Sequence, residues 1–161
     1  ARLPRADSQA EPPAAGLDGG RLNIAASALG AAQSALEKAL KYSQERKAFG
    51  RKIGEFQALQ FKLADMEIRL QAARALLYKA AWKLDRKDLD ASKFCAMAKQ
   101  FVTDAAFETA NDALQIHGGY GYLSDYGMEK IVRDLRVHQI LEGTNEIMRM
   151  IVSRALLAEV A

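Results

Sequence analysis

The sequence predicts an all-α fold, a four-helix bundle with an additional short helix, and three observations carry the prediction. All three prolines, Pro4, Pro12 and Pro13, precede residue 14, so the chain from Leu17 onward is free of the strongest helix breaker. Alanine, leucine, lysine, glutamate and glutamine, the residues that lose least on entering a helix, fill that stretch. Its clearest pattern, Phe56, Leu59, Leu63, Met66, Leu70, Ala73, Leu77, Ala80 and Leu84, alternates steps of three and four. That spacing is a bundle seam sustained over about four heptads. No segment has a strand period worth assigning. With 161 residues, 50% hydrophobic and 27% charged, the chain suits one globular domain with its own core.

Residues 1–16 are rich in alanine, proline and charge without apolar periodicity, and read as a flexible leader, a linker or a truncation remnant. A first helix is expected from about Asp18, with Leu22, Ala26, Leu29, Gln33, Leu36 and Leu40 as its apolar stripe. Gly50 and Gly54 bracket a break at Arg51-Lys52-Ile53. The seam helix follows, about 45 Å long at the α-helical rise. Asp85 to Asp90 form the next turn, with Asp88 or Asp90 as the cap of a third helix from about Ala91 to Ile116. After a glycine-rich connection come a shorter helix from about Tyr126 to Arg136, a loop through Glu142, and a last helix from about Thr144 to Glu159.

A net charge of +3 suits a phosphate-bearing ligand and falls short of the basic stripe that nucleic acid requires. The single cysteine, Cys95, excludes an internal disulfide and a multi-cysteine metal site. It lies in the run Phe94-Cys95-Ala96-Met97, where a buried small hydrophobe is the expected role. His117 and His138 are too isolated to suggest a metal, and none is expected. No apolar run approaches the roughly 20 residues that span a bilayer, and no signal peptide is visible.

Three segments carry chemistry, and each also has an ordinary structural role. Arg46-Lys47-Ala48-Phe49-Gly50, with Arg51-Lys52 and Gln57 beyond, offers bidentate donors to a diphosphate, a ring for stacking and an amide; it equally suits a solvated helix end. Gln115-Ile116-His117-Gly118-Gly119 lets backbone N–H groups approach a ligand, and equally suits a glycine-capped helix end in which His117 is structural. In Ile140-Leu141-Glu142-Gly143-Thr144-Asn145-Glu146 a loop carboxylate flanked by apolar residues is desolvated toward a more competent base. The first turn of the next helix then faces an anion or a flavin edge; the alternative is a capping segment with Glu146 on the helix dipole.

In this order and spacing, these segments resemble the C-terminal helical domain of the acyl-CoA dehydrogenases. The resemblance runs from about Gly16 to Ala161. It begins at Leu17-Asp18-Gly19-Gly20-Arg21 and includes Gln57-Ala58-Leu59-Gln60-Phe61-Lys62-Leu63-Ala64-Asp65-Met66 and Arg133-Asp134-Leu135-Arg136. His117 to Tyr122 and Val137 to Gly143 look most like the short and branched-chain members, of the isobutyryl-CoA type.

The resemblance implies a role for each matching position. Glu142 falls where the family's base removes the α-proton of the acyl-CoA thioester as the β-hydride passes to FAD. Arg46, Phe49 and Gln57, with Gln115, Ile116, His117, Gly118 and Gly119, match FAD contacts made across a subunit interface. Thr144, Asn145 and Glu146 match the turn that touches FAD in the base's own subunit, and Asp18, Arg21 and Arg154 match acyl-CoA contacts. The family further implies a homo-oligomer, dimer or tetramer, with electron-transferring flavoprotein as electron acceptor. It implies a cytoplasmic location in a bacterium or the mitochondrial matrix in a eukaryote. A full enzyme of this kind adds an N-terminal helical domain and a middle β-domain, so residues 17–161 are expected to be incomplete as an enzyme by themselves. Two other readings remain open at this stage: a non-catalytic helical interaction module derived from the family, and an acyl-CoA oxidase.

Overall fold

The computed structural model describes residues 15–160; most of the expected leader, residues 1–14, lies outside the described residues. A 3-10 turn, Ala15–Leu17, leads into α1 (Asp18–Glu45). A miniature antiparallel hairpin follows, β1 (Lys47–Ala48) and β2 (Arg51–Lys52), and then a 3-10 turn at Ile53–Glu55. Two further long helices, α2 (Gln57–Asp85) and α3 (Ala91–His117), are joined by a tight turn. Two 3-10 turns, Gly118–Tyr122 and Ser124–Tyr126, connect α3 to α4 (Met128–His138), and a short loop leads to α5 (Asn145–Ala158). The expected all-α architecture is what forms. α3 lies at its centre and packs against each of the other four helices.

The α2 seam behaves as its spacing predicts: Met66, Leu70, Ala73, Leu77 and Ala80 are buried, while Phe56, Leu59, Leu63 and Leu84 pack around the core's edge. The α1 stripe is rotated from the expectation. Leu22, Leu29 and Leu36 are buried, but their partners are Ala25, Ala32 and Ala39, one step of three onward. Ala26 and Leu40 face outward, and Leu40 is 45% exposed. The reason is steric. α1 packs chiefly on α3 and also buries Ala28 and Ala35, while α3 buries Ala98, Ala105, Ala106, Ala110 and Ala113. Facing alanines let two backbones approach closely, and a leucine at position 40 would hold them apart.

Two smaller expectations also change. The break near Gly50 contains strands, because Phe49 (φ +52) and Gly50 (φ +81) form a two-residue turn of the twist that favours a hairpin. The residues paired across it, Lys47 with Lys52 and Ala48 with Arg51, have no hydrophobic alternation to reveal them. At the start of α3, Asp90 occupies the cap position without capping: both its carboxylate oxygens accept from Lys83 Nζ, at 2.7 and 2.9 Å.

Candidate active and cofactor-binding site

Glu142 lies in the loop between α4 and α5 with a left-handed backbone (φ +55), followed by Gly143 at φ +89. A non-glycine residue there costs energy and persists only where its surroundings enforce it. The loop closes on itself, since Asn145 N–H donates to the Gln139 carbonyl at 3.0 Å. This geometry sets the half-buried Glu142 carboxylate against the first turn of α1. A Cβ on Gly20 would stand 2.5 Å from Oε2 and 2.9 Å from Cδ, so the carboxylate rests on bare helix backbone. Among the described residues the carboxylate has no hydrogen bond or ion pair of its own.

The layer beneath is polar and buried. Asp18 and Arg21, 1% and 4% exposed, pair at 2.7 Å, and Asp18 also accepts from the Ser92 hydroxyl. Arg21 Nε is buried without a partner. Lys99 is fully buried and donates to the Gly143 carbonyl at 2.8 Å and to Asn145 Oδ1 at 2.9 Å. Burial pushes the Lys99 ammonium down to about 8, against the opposing pull of Asp104. Asn145 Nδ2 donates in turn to Asp104 at 2.6 Å and to Thr103 Oγ1 at 3.0 Å. Glu146, exposed on the first turn of α5, is held below the usual carboxylate range by its own backbone N–H and by the Thr144 hydroxyl.

A second group of residues gathers at the far end of α1 and α3. Two adjoining grooves of about 490 and 410 Å³ share Ile53 and Ile116 as a common wall. One holds Phe49, Phe56 and Gln115; the other holds Arg46, His117, Gly118 and Gly119. Phe49 is 96% exposed, with its ring edge-on to Phe56, and Arg46 lies over the Tyr120 ring at 5.4 Å with no carboxylate partner among the described residues. Gly118 (φ +61) and Gly119 have nothing within 4 Å of a would-be Cβ, leaving their backbone open to close approach. An unpaired arginine, an exposed aromatic ring, apolar walls and bare glycine backbone are the donor set that a flavin dinucleotide requires, and on this chemistry the residues fit it.

The expected site residues thus divide into two sets. Glu142, Thr144, Asn145, Glu146, Asp18 and Arg21 meet where α1, α3 and α5 converge; Arg46, Phe49, Gln115, Ile116, His117, Gly118 and Gly119 form the grooves. From Thr103 to Gln115, α3 rises about 18 Å between the two sets. Gln57 is exposed at the start of α2, just outside the groove walls, and Arg154 is exposed on α5. Several members serve the fold. His117 Nδ1–H donates to the Ala113 carbonyl at 2.7 Å while its ring stacks on Tyr42 at 4.3 Å, and the Asn145 side chain is committed to the Lys99–Thr103–Asp104 network. Ile140 and Leu141, expected to desolvate Glu142, are themselves exposed. Cys95 is buried as expected, with its thiol pushed up to about 12 by burial. Sequence reasoning missed Lys99 and Gly20. The available signal for Lys99 was its register, in line with Cys95, Val102 and Ala106 on the apolar face of α3.

The chain is similar to known proteins over most of its length. A family profile described as "Acyl-CoA dehydrogenase, C-terminal domain" matches residues 13–157. The mitochondrial isobutyryl-CoA dehydrogenase of Bos taurus is 53% identical over 144 residues, covering 89% of this chain and 35% of that protein. The structure of butyryl-CoA dehydrogenase from Megasphaera elsdenii superposes with a TM-score of 0.85 at 44% identity, covering 89% of this chain and 38% of that one. A structure described as electron transferring flavoprotein of Acidaminococcus fermentans gives a TM-score of 0.85 at 52% identity, over 88% of this chain and 37% of that one. The chain therefore spans little more than a third of the length of the relatives it matches. On the match to its profile and the identity of its relatives, the chain belongs to the acyl-CoA dehydrogenase C-terminal domain family.

Proposed function

We propose that this domain supplies the proton-abstracting base, Glu142, and the walls of two flavin sites to an FAD-dependent acyl-CoA dehydrogenase that forms a trans-2-enoyl-CoA. The observation that carries the reading is the seat of Glu142: a carboxylate on a left-handed loop residue, resting on Gly20 and free of any competing partner among the described residues. A base committed to a salt bridge would have to break it before accepting a proton; this one is presented unpaired. The thioester carbonyl acidifies the substrate's α-C–H. Glu142 takes that proton on a carboxylate oxygen, and the electron pair left behind forms the α,β double bond as hydride departs from the β-carbon. FAD, when bound, supplies the acceptor for that hydride.

Arg46, Phe49 and Gln57, with Gln115, Ile116, His117, Gly118 and Gly119, would hold one flavin. Thr144, Asn145 and Glu146 would border another, beside the base. The two sets are given to different flavins, and hence to different copies in a homo-oligomer. Asp18, Arg21 and Arg154 form the acyl-CoA side; the buried Asp18–Arg21 pair stiffens the floor beneath the thioester, and exposed Arg154 offers charge to phosphate. Electron-transferring flavoprotein is the proposed electron acceptor. The proposed compartment is the mitochondrial matrix in a eukaryote or the cytoplasm in a bacterium, a reading supported by relatives that include a mitochondrial and a bacterial enzyme. Among the described residues no helix is long and apolar enough to cross a membrane.

The test is Glu142→Gln in the flavin-loaded enzyme that carries this domain, mixed with a short branched acyl-CoA. Removing a general base lowers the rate of flavin bleaching by about 10²–10⁴-fold. Bleaching as fast as wild type would show that the proton leaves by another route.

A further inference from the structure

α3 buries a face of alanine, valine and cysteine, and in the middle of it stands one fully buried ammonium, Lys99. An unpaired charge is not tolerated in such a place, so its partners reveal its task. Neither is a carboxylate at hydrogen-bond distance: Nζ donates to the backbone carbonyl of Gly143 at 2.8 Å and to the amide oxygen of Asn145 at 2.9 Å. Both acceptors belong to the segment that follows Glu142. The charges around the ammonium come from the elements packed on it: Asp104 on α3 itself, Arg21 on α1, Glu142 in the loop, Glu146 on α5 and His138 at the end of α4, whose imidazole burial and then the ammonium help to keep uncharged. Gly143 cannot be held by a side chain of its own, and Glu142 before it stands in a backbone region that its side chain disfavours. Something must hold the carbonyl between them and α5, and Lys99 is the side chain that reaches it from the core.

We propose that Lys99 is a positioning residue for Glu142: its ammonium anchors the Gly143 carbonyl and the start of α5, which locks the left-handed loop and keeps the Glu142 carboxylate seated over Gly20. The catalytic consequence rests on Glu142 being the base, whereas the anchoring does not. Asn145 completes the device. Its side-chain oxygen accepts a hydrogen bond from Lys99 and its amide N–H groups donate to Thr103 and Asp104, while Gln139 at the other end of the loop donates to the same Asp104 at 2.8 Å.

The experiment compares Lys99→Met and Lys99→Arg with the wild-type 161-residue chain. Two readouts are taken: hydrogen exchange of the backbone amides of residues 141–145, and the split of kcat against KM in the flavin-loaded enzyme. Lys99→Met is expected to speed loop exchange at least about tenfold while core amides of α1–α3 keep their protection. Lys99→Arg should restore the slow loop exchange in large part. In the flavin-loaded enzyme the same Met variant should lower kcat with little change in KM, and Lys99→Arg should recover much of the loss. Loop exchange identical to wild type in folded Lys99→Met would overturn the proposal. If that variant does not fold, the neutral and shorter Lys99→Gln takes its place under the same criteria; failure of both to fold would make Lys99 a residue of the core and overturn the positioning role. Full activity of Glu142→Gln with a loosened loop in Lys99→Met would instead sink the base assignment and leave the anchor standing.

Discussion

Replacing Gly20 by alanine should separate catalysis from stability in opposite directions. The added Cβ would lie 2.5 Å from Glu142 Oε2 and 2.9 Å from Cδ. Non-bonded carbon and oxygen settle at about 3.5 Å, so the carboxylate has to retreat by roughly 1 Å. A misplacement of that size costs a reaction on the order of 10²-fold, equivalent to about 2.7 kcal/mol of barrier. The fold should not suffer. The obstructing atoms are the far end of a flexible side chain, and alanine gains about 0.5–1 kcal/mol over glycine in a helix. Gly19 is the internal control, because nothing lies within 4 Å of a Cβ there. Gly19→Ala should therefore raise stability with no loss of rate. The assay is stopped-flow flavin bleaching by acyl-CoA, with urea denaturation alongside. Equal bleaching rates in the two alanine variants would refute the seat of Glu142 and with it the central geometric argument. A Gly20→Ala protein that loses stability in proportion to activity would show that the glycine serves the fold and not the carboxylate.

Three other outcomes follow from the packing and the titrations. Cys95 is buried with its thiol pushed up to about 12, so an aromatic disulfide reagent at pH 8 should leave the native chain untouched and titrate one thiol per chain after unfolding. The rotated α1 stripe predicts that Leu36→Ala, from a site 2% exposed, costs about 2–5 kcal/mol in denaturant unfolding, whereas Leu40→Ala, 45% exposed, costs less than about 1 kcal/mol; equal costs would restore the original stripe. Burial lowers Lys99 to about 8, below its value in the unfolded chain. Between those two values the unfolded state binds more protons, so stability should rise as pH climbs through that window. The rise should be missing from Lys99→Met, and the difference between the two unfolding curves isolates it from Cys95, whose raised thiol acts in the opposite sense at higher pH.

The parts of this molecule that the sequence disclosed are those decided by neighbours three and four residues apart. The α2 seam is one, since leucine and methionine at that spacing have one face to bury and no second candidate. On α1 two candidate faces compete, one ending in Leu40 and one in Ala39, and hydrophobicity favours the wrong one. What decides is the alanine surface of α3, more than fifty residues away, which rewards close approach above side-chain area. The hairpin at Lys47–Lys52 was invisible for a related reason: its pairing is fixed by two positive φ angles at Phe49 and Gly50, which no apolar alternation announces.

The candidate site shows the same division at the level of chemistry. Glu142, Arg46 and the Gln115–Gly119 run are legible because a reaction needs those groups, and their order along the chain carries the resemblance. Gly20 and Lys99 are illegible because each matters only through a contact 122 or 44 residues distant, the first with the carboxylate and the second with the Gly143 carbonyl. Taken alone, a glycine in the first turn of a helix reads as poor propensity, and a lysine among alanines reads as a solvated face. Each breaks a local rule, and each breaks it at a point where Glu142 or its loop makes contact. A residue that contradicts its own helix, in a chain otherwise consistent with its fold, is therefore the feature to examine first when a base has to be held in a costly conformation.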